Sequence, residues 1–282
     1  MILRGTTYKT GEHAFHGLKF AYLATQAKDK RKYDLLRYSK KFIGMDRYEA
    51  RKLIIKVLNN SLSMRNWWKA LAIILLVYSI IGGFLIEVPK QVILYESIRN
   101  LYFHVPMWFA MITLFFISMI YSIKNLSSSN LKDDRKAIEM VNVGIIFGVL
   151  GIATGSIWAK FTWGAFWTND VKLNGSAITM LIYLAYVILR GSIEDEQKRA
   201  RIAAVYNIFA FVLLLVFIGI LPRMTDSLHP GNGGNPGFNN YDLDNNMKLV
   251  FYPAVFGWIL FGLWVSNIRI RMANLKEQLL DN

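Results

Sequence analysis

Cysteine does not occur among the 282 residues. Its absence excludes disulfides, thiolate metal sites and attachment of a prosthetic group through a C-x-x-C-H motif. Histidine is nearly as scarce, at positions 13, 16, 104 and 229 only, so each one can be weighed individually. Charge is also low: Asp, Glu, Lys and Arg make up 18% of the chain, whereas 54% is hydrophobic and the mean hydropathy is +0.30. A soluble domain of this length would carry more charge, and its apolar residues would not gather into runs of about 20. The composition places the chain among polytopic membrane proteins.

The net charge of +14 is unevenly distributed. Residues 1–63 hold 14 Lys/Arg against 5 Asp/Glu, and residues 64–282 hold 19 against 14. The first stretch has no membrane-length apolar run. Within it, Asp46–Asn59 has the pattern of an amphipathic helix, with Tyr48, Leu53 and Val57 on one face. A basic arm beside membrane spans reads as a cytoplasmic segment near anionic lipid rather than as a nucleic-acid binder. Met64, followed by R-N-W-W-K and the first apolar run, is a candidate natural start. The expected organisation is therefore a basic N-terminal extension, 1–63, and a membrane domain, 64–282.

Six spans are expected, at about Trp67–Ile86, Val105–Ile123, Val141–Ala159, Ser176–Leu189 (extended from Val171), Ala203–Leu221 and Leu249–Asn267. Trp67, Trp68, Trp108, Trp158 and Trp258 are read as interfacial residues near their ends. The first run lacks an A-x-A pattern after it and reads as an anchor. Basic residues decide the orientation. One set of connections and the C-terminal tail carries eleven: Lys124, Lys132, Arg135, Lys136, Arg190, Lys198, Arg199, Arg201, Arg269, Arg271 and Lys276. The opposite set carries six: Lys90, Arg99, Lys160, Lys172, Arg223 and Lys248. The positive-inside rule then puts both termini in the cytoplasm and the second set of loops outside.

The loop between spans three and four is unusual. Trp158, Phe161, Trp163, Phe166 and Trp167 lie within ten residues, and Asp170 closes the segment before span four. An interfacial belt accounts for one or two tryptophans. A compact W-G-x-x-W cluster, with Gly164 allowing a tight bend or the close approach of a flat ligand, suggests a platform for a large planar molecule. Asp170 is equally well placed to cap the following helix.

His104, in L-Y-F-H-V-P, opens span two, and Pro106 suits the first turn of that helix. His229, in T-D-S-L-H-P, precedes the glycine-rich Gly231–Gly237, which suggests a segment able to move. Both histidines of the membrane body fall on the outward side, flanking the tryptophan loop. Either histidine alone reads as an interfacial polar residue, but two imidazoles beside an aromatic shelf would suit a haem site in which iron takes two axial nitrogens; Arg99, Lys160, Lys172 and Arg223 are the outward cations available for the propionates. Zinc is the competing use. It requires a third ligand, such as Asp170 or Asp226, and leaves the aromatics unexplained.

The run A-T-G-S-I-W-A-K-F-T-W-G-A-F-W-T-N-D-V-K-L, Ala153–Leu173, resembles the tryptophan-rich motif of the CcmC/CcsA haem-handling family of cytochrome c maturation. Tyr102–Pro106 and the histidine before span six match in order and side, over about Met64–Asn267, and the six spans are closest to the CcmC type. The resemblance implies an all-α, multi-pass protein of the bacterial inner membrane with its haem site on the periplasmic face. It implies a carrier rather than an enzyme. His104 and His229 would be the axial ligands of a non-covalently held haem b, with Trp158, Trp163, Gly164, Trp167 and Asp170 as the contacting motif. The partners it implies are a CcmE-type haem chaperone, a CcmD-type small membrane protein and a CcmA–CcmB-type transporter. In one place the chain departs from the pattern: where the family usually has a tryptophan before the aspartate, this chain has Asn169.

Three other classes stand beside the carrier. A quinone-linked redox protein passing electrons across the bilayer would need more histidines within its spans. A solute transporter would show ionisable residues there, and these spans are nearly free of them. Participation in a haem–apocytochrome ligase complex is the third, although residues 64–282 leave no room for a separate apocytochrome-recognition domain.

Overall fold

A computed structural model describes residues 2–3, 6–7, 47–89, 94–230 and 243–280. The chain divides into two units, Met1–Trp67 and Trp68–Asn282. In the first, β1 (Ile2–Leu3) and β2 (Thr6–Thr7) pair antiparallel, and helix α1 (Arg47–Leu85) begins. The segment expected to be amphipathic is helical from Arg47; the burial of Tyr48, Leu53 and Val57 lies outside the described residues.

The second unit is helical throughout its described elements. After α1 come a 3-10 turn (Tyr95–Asn100), α2 (Leu101–Ser128), α3 (Leu131–Trp163), α4 (Val171–Gly191) and α5 (Glu196–Leu214). A π-helical turn (Leu215–Ile220) continues α5 into the short α6 (Leu221–Met224), and α7 (Asn245–Leu280) ends the unit. Among the described residues six helices are long and apolar enough to cross a membrane. They coincide with the six predicted spans, and most run further because capped, partly polar turns extend their apolar centres. Asn130 accepts from Lys132 N at the start of α3, and Asp195 does the same for Lys198 N at the start of α5.

Two expectations change. Helix α2 starts at Leu101, directly after the 3-10 turn, so Pro106 lies inside the helix rather than in its first turn. The proline has no N–H for the carbonyl of Tyr102, and the helix tolerates this one lost bond. Trp258 is not at a helix end: it packs within α7 against Phe261 and reaches Phe147 of α3, both edge-on with ring centres 6.0 Å apart.

Glycines set the spacing of α2 and α3. A Cβ on Gly144, Gly148, Gly151 or Gly155 would meet, in turn, Phe115, Met111, Trp108 and His104 at 2.9 Å or less. The four lie on one face of α3 at helical spacing, and their partners recur down one face of α2. The missing side chains let the two backbones approach as small residues do between membrane helices. Lower in the bundle, Phe115 stacks on Tyr183 of α4 with ring centres 3.6 Å apart. Asn207 of α5 donates to Ser118 Oγ and Ser122 Oγ at 2.7 and 2.8 Å, joining α5 to α2 through buried side chains. At the end away from the tryptophan loop, Arg190 grips Asp134 with two bonds of 2.6 and 2.7 Å.

Candidate functional site

His104 is the last rung of the glycine ladder. Its ring lies against Gly155, whose missing side chain leaves the room it occupies; a Cβ there would stand 2.5 Å from His104 Cε1. Nδ1 is 3.0 Å from Gly151 O and 3.2 Å from Thr154 Oγ1. A carbonyl oxygen can only accept, so Nδ1 carries the proton and donates it, leaving Nε2 with its lone pair. Trp108 and Trp158 stand edge-on to the imidazole, at 6.2 and 5.9 Å between centres. Trp158 is fixed in turn by donating its indole N–H to Ser97 Oγ at 3.2 Å.

The loop ahead of α4 is built around a different acceptor. Asp170, its side chain 1% exposed, is the N-cap of α4 and accepts from Lys172 N and Leu173 N at 2.9 and 3.1 Å. The same carboxylate reaches the segment after α6. Oδ2 accepts from Ser227 Oγ at 2.8 Å and from Leu228 N at 2.7 Å, and Oδ1 accepts from His229 Nδ1 at 3.0 Å. Burial alone would raise the acid's pKa. The bonds from His229, Leu228 and Ser227 outweigh it and hold the carboxyl well below the usual carboxylate range. An ionised acceptor puts a proton on Nδ1 of His229, which in the neutral imidazole leaves the lone pair on Nε2. Asp170 therefore caps the helix, as its position suggested, and also orients His229.

Trp163 closes the set. It is the last residue of α3 and lies edge-on to His229 at 5.0 Å. Gly164 ends the helix with φ +80°, a left-handed C-cap that needs glycine for its backbone; the space beside it is open, so the bend rather than crowding explains the residue. Trp167 is 41% exposed and donates its indole N–H to Asn174 Oδ1 at 3.1 Å. Phe161 and Phe166 are more open still, at 76% and 60%. Asn169 faces Asn174 as well, accepting from its Nδ2 at 2.8 Å.

Of the four cations considered from sequence, two are bonded to backbone. Arg99 donates to Gly83 O and Ile86 O, tying the end of α1 to the approach to α2, and Lys160 donates to Gly164 O. Lys172 lies within electrostatic reach of His104, Asp170 and Arg223. Among the described residues no three His, Asp or Glu side chains gather as a metal site, so the third ligand that zinc needs is missing from this set. Gly231–Gly237 lies outside the described residues.

Sequence reading missed the residues that hold the two histidines: Gly151, Thr154 and Gly155 behind His104, and Ser227 beside His229. The glycine spacing along α3 was the available signal for the first group. Nothing local in the sequence marks Ser227, because its partner is 57 residues away.

A sequence model of the family described as "Heme exporter protein C" matches residues 51–281. "Heme exporter protein C" of Haemophilus influenzae is 25% identical over 189 residues, covering 64% of this chain and 73% of that protein. The protein of the same name from Escherichia coli K12 is 24% identical over 185 residues, 62% of this chain and 70% of its own length. A shorter match, 31% identical over 87 residues, joins 31% of this chain to 27% of "Cytochrome c biogenesis protein CcsA" of Prochlorococcus marinus. With most of its length matched by the family model and its six helices in place, this chain belongs to the CcmC family.

Proposed function

We propose that the protein binds haem at its outward face, between His104 and His229, and delivers it to a haem chaperone for cytochrome c maturation. One observation carries the reading. Both imidazoles have Nδ1 engaged by an acceptor, Gly151 O for one and Asp170 Oδ1 for the other, so each in its neutral form keeps an Nε2 lone pair for iron. Ligating histidines are usually held in this way by a carbonyl or carboxylate on the other ring nitrogen. Tryptophans 158 and 163 stand edge-on beside the two rings, one to each, and offer apolar walls to a porphyrin.

The cargo is haem b, held without covalent bonds. His104 and His229 supply the iron ligands, and Trp158, Trp163 and Trp167, with the bend at Gly164, supply the shelf. Asp170 acts one step back, by orienting His229. Lys172, within electrostatic reach of His104 and Asp170, suits a propionate. The basic ends of the helices face the cytoplasm and the shelf faces the periplasm, where a tethered chaperone can take haem from it. The work is binding and release rather than turnover.

The test is the haem content of the full chain purified from the membrane, together with cytochrome c maturation in cells carrying the variants. Wild type should copurify with haem, and His104→Ala and His229→Ala should each lower both haem content and maturation. Unchanged haem and maturation in both variants would overturn the proposal.

A further inference from the structure

Trp167 presents a problem of support. It lies in the short non-helical segment between Gly164 and Asp170, and at 41% exposed it is not held by packing alone. A large ring so placed would sample several rotamers, and ordering it on ligand arrival would cost affinity. Its single polar group is nevertheless bonded. The indole N–H donates to Asn174 Oδ1 at 3.1 Å, and Asn174 Nδ2 donates onward to Asn169 Oδ1 at 2.8 Å.

Asn174 is the fixed point of this relay. It belongs to the first turn of α4, and its backbone N donates to Asp170 O at 2.9 Å. Its amide is used on both sides, accepting from the indole and donating to Asn169. Few side chains can do both at this reach: aspartate would accept from the indole but have no proton for Asn169, and leucine would do neither. Residue 170 thus joins two parts of the site. Its carbonyl anchors the residue that holds Trp167, while its carboxylate holds His229.

We infer that Asn174, backed by Asn169, is a positioning residue that sets the plane of the Trp167 indole before the planar ligand arrives. This rests on the haem-shelf reading for its purpose, but the relay itself can be tested without haem. The first measurement uses the full chain in nanodiscs, labelled with 15N-tryptophan, with the Trp167 indole resonance assigned by its disappearance in Trp167→Phe. Asn174→Leu should shift that resonance and speed exchange of its proton. Asn169→Ala should do the same to a lesser degree, and it leaves the α4 turn untouched should the leucine variant disturb folding.

The second measurement is haem affinity in a double-mutant cycle. Asn174→Leu should weaken binding by about threefold to tenfold in the wild-type background, the loss expected for one hydrogen bond. In the Trp167→Phe background the same change should have no effect, because the indole N–H is already gone. An unchanged Trp167 resonance in both asparagine variants overturns the proposal, whether or not the protein binds haem. An equal loss of affinity in both backgrounds also overturns it, since Asn174 would then act on the helix rather than through Trp167. Absence of haem binding by wild type would defeat the haem reading alone and leave the indole measurement to decide the relay.

Discussion

The two histidines are held by opposite means. His104 sits on a continuous helix against the backbone of another, and its acceptor is a carbonyl oxygen of α3. His229 sits on a loop, and its acceptor is a buried carboxylate that also caps α4 and gathers Ser227 and Leu228. The first arrangement depends on helix packing, and its acceptor is not ionisable. The second depends on one acidic side chain with five donors. For the carrier proposed above, such a pairing gives one histidine that is part of the bundle and another whose segment converges on Asp170 and lies against Trp163. The difference predicts that the two sides of the site break in different ways.

The largest effect should come from the carboxylate. Asp170→Ala removes the orienting partner of His229, the cap of α4 and the link to Ser227 at once, and a loss of about 10- to 100-fold in haem affinity is expected for an outer-shell partner of this kind. Equilibrium haem titration of the purified variant checks it. Asp170→Asn keeps an acceptor for His229 and should lose less; equal losses in the two variants would show that charge, not geometry, is what His229 needs.

The His104 side should break through packing. Gly155→Ala puts a methyl 2.5 Å from the imidazole, and overpacking of this order costs about 1–3 kcal/mol. Haem affinity should fall by about tenfold if 1.4 kcal/mol of that cost bears on the ligand. Gly164→Ala serves as the contrast within the loop, since its cost is conformational, roughly 1–2 kcal/mol for a non-glycine residue in the left-handed region. It should lower thermal stability and loosen Trp163 while leaving the His104 side alone. The smallest effect is expected from Ser227→Ala, which removes one of the bonds to Asp170 and should cost about 1 kcal/mol or less.

The far end of the bundle provides the control. Arg190 and Asp134 form a buried, two-bond ion pair with both side chains about nine-tenths covered. Breaking it by Arg190→Met should destabilise the fold by about 3–5 kcal/mol, because Asp134 is left without its partner. Haem affinity of the protein that remains folded should not change. A comparable loss of affinity here would mean that the two ends are coupled and that the site is not the local construction described above.

Much of this was legible in the sequence, for physical reasons. Six apolar runs announce six membrane helices because the bilayer demands their length. Gly164 and Asp170 were recognisable as a bend and a cap from residue type and position. Pro106 misled because the helix begins earlier than its apolar core: the 3-10 turn from Tyr95 feeds straight into α2, which hydropathy cannot reveal. Trp258 misled because tryptophan suits both an interface and an aromatic cluster, and only packing against Phe147 and Phe261 decides. The bonds that orient the two imidazoles were illegible, since they join residues 47 and 59 positions apart. Asn169 was visible as a departure from the family pattern, but not its bond to Asn174. That bond gives the polar residue work that a tryptophan could not do in the same way.

The central claim is that both imidazoles take iron through Nε2. Resonance Raman spectroscopy of the haem-loaded full chain tests it most directly. The account predicts a six-coordinate, low-spin, bis-imidazole haem in wild type, and loss of the six-coordinate signature in both His104→Gly and His229→Gly, restored in each by added imidazole. A six-coordinate spectrum that persists in either variant without imidazole would contradict it.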